Sequence, residues 1–390
     1  MEQKFSRTLF TWLAYLLLAF YGYFLNILGP LAPFFKDELQ LSYTVSSLHF
    51  TAFAVGMLLV GLGGHLIIRR IGRWRSLWIG AIGMSAGALL LSVGSVAWMT
   101  ISACFLMGLV GSLILVIVPS ALSDQHGEQR AVALSEANVI ASFIATAAPL
   151  LVGWFAHIPG GWRWALGVVA LTPIVMRLGF AKAVLPRSST SKNEPTHEKL
   201  PLPFLYWVYW AAIVLSVSVE FCMISWSADY METGLGMLKV DAAQAVSLFL
   251  GAMIVGRMAG SGLVRRFSVT NVVAGSILVA AAGFLVFWKA NGIVMGLAGL
   301  FITGLGVAPM YPLVLSLAIG ASDNHAVQAS ARAALASGTA ILTLPLVLGR
   351  LADAAGIRDA YGVVGVLLVS VFVLTQWAAR RPKAEDHLPS

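Results

Sequence analysis

PLLVGWFA, residues 149–156, returns as PLVLGRLA at residues 345–352. Pro, Leu, Gly and Ala keep their places across a shift of 196 residues. The same shift lays Arg69-Arg70 on Arg265-Arg266 and Gly64 on Gly260. One register shared by proline, glycine and paired arginines argues for two copies of one unit. Between the copies runs AKAVLPRSSTSKNEPTHEKLPLP (181–203), close to the midpoint of the 390 residues. Its Pro, Ser and Lys content reads as a flexible linker. The division is residues 1–181, a linker over 182–202, and residues 203–390.

The chain is 59% hydrophobic and 11% charged, with mean hydropathy +0.86. A soluble protein would carry roughly a quarter charged residues. Twelve apolar segments can be traced between residues 8 and 380. Each is long enough to cross a hydrocarbon core of about 30 Å. The fold class that follows is an all-α membrane protein with twelve transmembrane helices in two six-helix bundles. A shift of 196 residues covers six segments, an even number, so the copies share one orientation. Parallel repeats of this kind are related by an axis along the membrane normal, with a substrate site near mid-membrane at their interface.

Sixteen of the Lys and Arg outside or at the edges of the spans fall on the side of both termini and the linker, among them Lys4, Arg7, Arg69, Arg70, Arg265 and Arg266. Only Lys36, Arg163, Lys239, Lys289 and Arg358 fall on the other. The bias expects both termini in the cytoplasm of a multi-pass inner (plasma) membrane protein of a bacterium. It also explains the net charge of +8 without nucleic acid. The first apolar run is too long for a signal h-region. Cys104 and Cys222 lie inside apolar helices, which argues against disulfides and Cys-based metal sites. HExxH, GxSxG and GxxxxGK[ST] are all missing, which sets aside hydrolase, metalloprotease and primary-pump readings. No enzyme, metal or cofactor is expected; partners are a small-molecule substrate and the lipid bilayer, and the chain is expected to be a monomer.

Six plus six parallel spans with a central linker resemble the major facilitator superfamily. GGHLIIRRIGRWRS (63–76) is similar to that family's loop between spans two and three, but Ile68 or Arg69 stands where an aspartate is usual. GRMAGSGLVRRF (256–267) resembles the same loop in the second half, and EQRAVAL (128–134) and GWRWALG (161–167) resemble sequences around span five. GLGVAPMYPLVLSLA (304–318) is similar to the glycine-proline pattern of fucose-permease-like sugar transporters. The span-five motif of drug antiporters is degenerate, with Ala148-Pro149 and no double glycine. The resemblance implies that spans one, four, seven and ten line the cavity and that span five packs beside span eight.

Charged groups inside spans are few and functional by default. Glu220 sits about ten residues from the outer end of span seven, where a carboxyl held from bulk water is placed to exchange protons near neutral pH. It is the expected proton-coupling site. Ser216, Met223 and Ser227 share its helical face. Tyr15, Tyr23 and Asn26 on span one, Ser112 on span four and Tyr311 on span ten are the expected substrate-binding groups, together with Ser216 and Met223. Arg332 on span eleven either meets an anionic substrate group or binds carbonyls at a helix end. Glu136 on span five and Arg257 on span eight lie at similar depths from their helix ends, about 9 Å, and are expected to pair, either as a gate that closes the cytoplasmic side when the protein opens outward or as a static bridge. Asp229 reads as a solvated loop-end charge, and His49 as a hydrogen-bonded interface residue. The expected function is a secondary active transporter of a small organic solute by alternating access, driven by protons. Direction stays open between a sugar or organic-acid symporter and an exporter of amphipathic compounds. The alternative is a non-transporting receptor or partner protein on the same scaffold.

Overall fold

A computed structural model describes residues 5–186, 202–322 and 326–381. The greater part of the linker, with Arg187, Lys192 and Lys199, lies outside the described residues, as do Lys4 and Lys383. The first half comprises α1 (Leu9–Glu38), α2 (Tyr43–Ile71), α3 (Arg73–Val93), α4 (Ala97–His126), α5 (Arg130–Ala156), α6 (Arg163–Ala170) and α7 (Thr172–Gly179). The second comprises α8 (Phe204–Asp229), α9 (Lys239–Leu263), α10 (Val269–Trp288), α11 (Ile293–Val307), α12 (Met310–Gly320), α13 (Ala326–Ala355), α14 (Ile357–Ala360) and α15 (Gly362–Ala379). Eleven stretches among the described residues are long and apolar enough to cross a bilayer. The sixth crossing falls to α6 and α7, interrupted at Leu171 ahead of Pro173. The tenth is broken at Ala308-Pro309, because proline offers no N–H to continue the ladder.

Packing repeats as the sequence does. In the first half α1 lies on α5, α2 on α4 and α3 on α4; in the second α8 lies on α13, α9 on α11 and α10 on α11. A shift of 196 residues converts each pair into its counterpart. Between halves, α2 packs on α13 and α5 on α9, the same contact made twice, while α1 meets α8. The repeated octapeptide sits at both seams. A Cβ on Gly153 would run into the Gln244 side chain, and one on Gly349 would stand 2.9 Å from the Tyr43 carbonyl oxygen. Glycine is needed there because lipid supplies no hydrophobic drive between helices, so close van der Waals approach must do the work. The outer surface is apolar, with Trp98, Leu178, Val294 and Val366 among its exposed side chains.

Candidate functional site

On the face opposite the termini the halves are sealed. Lys36, at the end of α1, donates to both carboxylate oxygens of Asp229 at the end of α8, at 2.7 and 2.9 Å. The Tyr43 hydroxyl donates to the same carboxylate at 3.3 Å, and the Tyr43 ring lies 4.0 Å from the ammonium. Lys239 pairs with Asp37 across the interface. Asp353 at the end of α13 accepts the Tyr43 and Thr44 backbone N–H groups, each at 2.8 Å. One half thereby caps a helix of the other and sets a negative charge on its positive end. Beneath this layer Phe50, Phe53, Phe221 and Ile224 close on a crevice of about 10 Å³, too small to hold a chain of water.

Below the crevice comes a polar centre. Glu220 on α8 is 3.8 Å from Arg257 on α9, and Arg257 also donates to the Ser142 hydroxyl on α5, in the other half, at 3.2 Å. The Glu220 side chain keeps 18% of its surface and Arg257 45%. Tyr311, on α12 beside the Pro309 break, is half-buried. Asn26 donates to the Gly22 carbonyl at 2.8 Å and is half-buried next to Leu25, which shares the crevice with Phe221. Asn138 is exposed one turn from Ser142. Nearer the termini, Arg7 grips Glu136 with two bonds of 2.6 and 2.8 Å, and the Tyr15 hydroxyl adds a third at 3.1 Å. The guanidinium is thereby held more firmly in its charged form.

The structure brings Glu220 and Arg257 together, with Ser142 of the other half on the same guanidinium. Others it places elsewhere. Tyr23 is buried in its own half and donates to the Ala165 carbonyl at 2.7 Å. Ser112 is buried against the Tyr21 hydroxyl at 3.4 Å. Ser216 bonds the Ala212 carbonyl, and Met223 and Ser227 are fully buried, because the outer part of α8 is enclosed by the seal. Arg332 stacks over Trp207, 5.2 Å from its ring centre, near the terminal-side start of α13. His49 lies buried between the Ser46 carbonyl and the Thr100 hydroxyl.

One expectation needs correction, and another belongs to the opposite conformer. The Glu136–Arg257 gate is expected when the face opposite the termini opens; here that face is sealed, Glu136 is held by Arg7 and Arg257 faces Glu220 and Ser142, so the pair is not formed. The antiparallel register explains it. Gly153 faces Gln244 and Thr146 faces Gly251, which sets Arg257 level with Ile140 and Glu136 level with Ser261, about 6 Å away. Equal distance from helix ends did not mean equal depth, since α5 begins a turn beyond the end of α9. Asp229 is fully buried rather than solvated; the helix continues past it through a π turn over Tyr230–Gly234. Lys36, Asp353 and Arg7 were missed as partners. The available signal was a lysine and an aspartate ending spans one and seven on the same face.

A family model described as Major Facilitator Superfamily matches residues 14–331. An uncharacterized transporter of Sinorhizobium fredii is 30% identical over 151 residues, 39% of this chain and 40% of that protein. The chain thus aligns with about two-fifths of that relative's length. A glucose/galactose transporter of Brucella abortus is 27% identical over 378 residues, covering 89% of this chain and 88% of the relative. Among solved structures, a bacterial homologue of the human lysosomal transporter Spinster, inward-facing and occupied, superposes with a TM-score of 0.81 at 14% identity, over 95% of this chain and 96% of that one.

Proposed function

We propose that this chain, which belongs to the Major Facilitator Superfamily, is a proton-coupled sugar symporter that works by alternating access. That it is a transporter and not an enzyme follows from the family and from the transporters among its relatives. One observation carries the finer reading: Glu220, a carboxyl deep in the membrane, stands just beneath an inter-half seal and beside an arginine that reaches across to the other half. A carboxyl so placed is functional by default, and proton exchange is its simplest use. The Lys and Arg bias supports a cytoplasmic terminal face, and the bacterial relatives support an inner membrane.

The sugar class is supported by the glucose/galactose transporter that aligns over most of the chain. It is also supported by the groups near Glu220. Ser142 shares Arg257 with it, and the half-buried Asn26 and Tyr311 on the spans expected to line the cavity add an amide and a hydroxyl, which suit a neutral polyhydroxy solute. Glu220 is the coupling group, Asn26 and Tyr311 bind solute, and a monomer suffices because both halves of the site come from one chain.

The test is uptake of radiolabelled galactose by proteoliposomes under an imposed pH gradient. The wild type is expected to accumulate sugar, and Glu220→Gln to lose accumulation while keeping sugar exchange. Unimpaired accumulation by the variant removes the coupling role. Transport of amphipathic cations and not of hexoses would reassign the substrate and the direction.

A further inference from the structure

A second cavity lies away from this site. It is a trough of ≈ 400 Å³ between α9 and α10, floored by the break in the tenth span at Pro309. Leu263, Phe267 and Val279 on its rim keep 45%, 57% and 44% of their surface exposed, so it opens towards the bilayer. Asn271 and Ser276 are its polar side chains.

Its mouth at the terminal face has the opposite chemistry. Arg265 and Arg266 are exposed there, next to Leu263 and Phe267 of the rim, with no acidic partner among the described residues. Ser268 caps α10, its hydroxyl accepting the Asn271 N–H at 3.3 Å, so the positive end of a twenty-residue helix points the same way.

We propose that the trough binds an anionic phospholipid of the terminal-face leaflet. One acyl chain lies along the apolar floor, and the phosphate meets Arg265, Arg266 and the start of α10. The bilayer supplies such an occupant at this surface, and paired basic residues at the end of a span attract anionic headgroups. The seated chain touches Pro309, the joint of the tenth span.

Native mass spectrometry of the full chain with phosphatidylglycerol and phosphatidylcholine of identical chains tests this. The wild type is expected to retain phosphatidylglycerol preferentially, and Arg265→Ala and Arg266→Ala each to lower that preference about fivefold. A Cβ at Gly275 meets nothing within 4 Å, so Gly275→Leu fills the trough without moving backbone and is expected to displace both lipids. The repeat-related variant Arg69→Ala/Arg70→Ala is the control and is expected to lower the preference less than the trough pair does. Undiminished lipid occupancy in Gly275→Leu overturns the proposal. So does full headgroup preference in the Arg265→Ala/Arg266→Ala double variant, or an equal loss in the control.

Discussion

Asp229→Asn should unseal the face opposite the termini. The Asp229 side chain has no exposed surface and that of Lys36 only 11%. Removing the carboxylate charge leaves an ammonium buried without its counter-ion in the sealed conformer only, since opening returns it to water. Loss of one partner of a buried pair costs about 3–5 kcal/mol. The residual exposure of Lys36 and the Tyr43 ring 4.0 Å away offset part of this, leaving about 2–3 kcal/mol. That is a shift of roughly 30- to 160-fold in the ratio of sealed to open states. Spin labels at Val96 and Val294, exposed at the ends of the two halves away from the termini, report the ratio as a distance distribution. The wild type should show one short distance and Asp229→Asn a dominant longer one. Lys36→Met/Asp229→Leu should restore the short distance, because a packed apolar pair replaces a buried ion pair at little or no cost. Coincident distributions for wild type and Asp229→Asn would refute the reasoning.

The seams give a contrast. At Gly349 a Cβ meets the Tyr43 backbone oxygen at 2.9 Å, so Gly349→Ala should disfavour the sealed state by about 1–3 kcal/mol in the same distance measurement. At Gly153 the obstacle is the Gln244 side chain, which can change rotamer where a carbonyl cannot, and Gly153→Ala should shift the distribution less than Gly349→Ala. A double-mutant cycle on transport rate should find a small Arg7–Glu136 coupling, screened away at 1 M salt. Ser142→Ala should lower pH-driven accumulation several-fold while exchange persists, with Ser142→Thr retaining most of it; accumulation equal to wild type in Ser142→Ala would contradict that role.

The bundle architecture was legible because repetition constrains many residues at once. Gly153 and Gly349 occupy equivalent places in two copies of one contact, and a single register exposed both. Depth and direction were less accessible. Counting from helix ends set Glu136 level with Arg257, whereas depth depends on how α5 and α9 slide past each other. Tyr23 follows Gly22 by one residue, yet 100° of rotation turns it from the half-buried face into the core of its own half. Glu220 stood out because nothing within span seven could neutralise it. Its companion Arg257 is far along the chain and approaches only through tertiary packing. Lys36 and Asp229 each looked like ordinary ends of spans, and their pairing is a property of the closed interface.

Glu220 and Arg257 belong to the same half, and this limits what their pairing can do. If the halves move as bodies, that pair travels intact and contributes equally to both conformers. An interaction of equal strength in two states shifts nothing between them, however strong it is. Coupling therefore has to come from whatever changes around the pair. The bond from Arg257 to Ser142 is such a link, because it crosses the interface and must break when the halves separate there. Water access to Glu220 is another. Neutralising Glu220 would free the guanidinium to commit fully to α5, so the charge state of one half would set how firmly it holds the other. On that reasoning the serine has a function although it never titrates, and Glu220 acts on the interface through its neighbour Arg257.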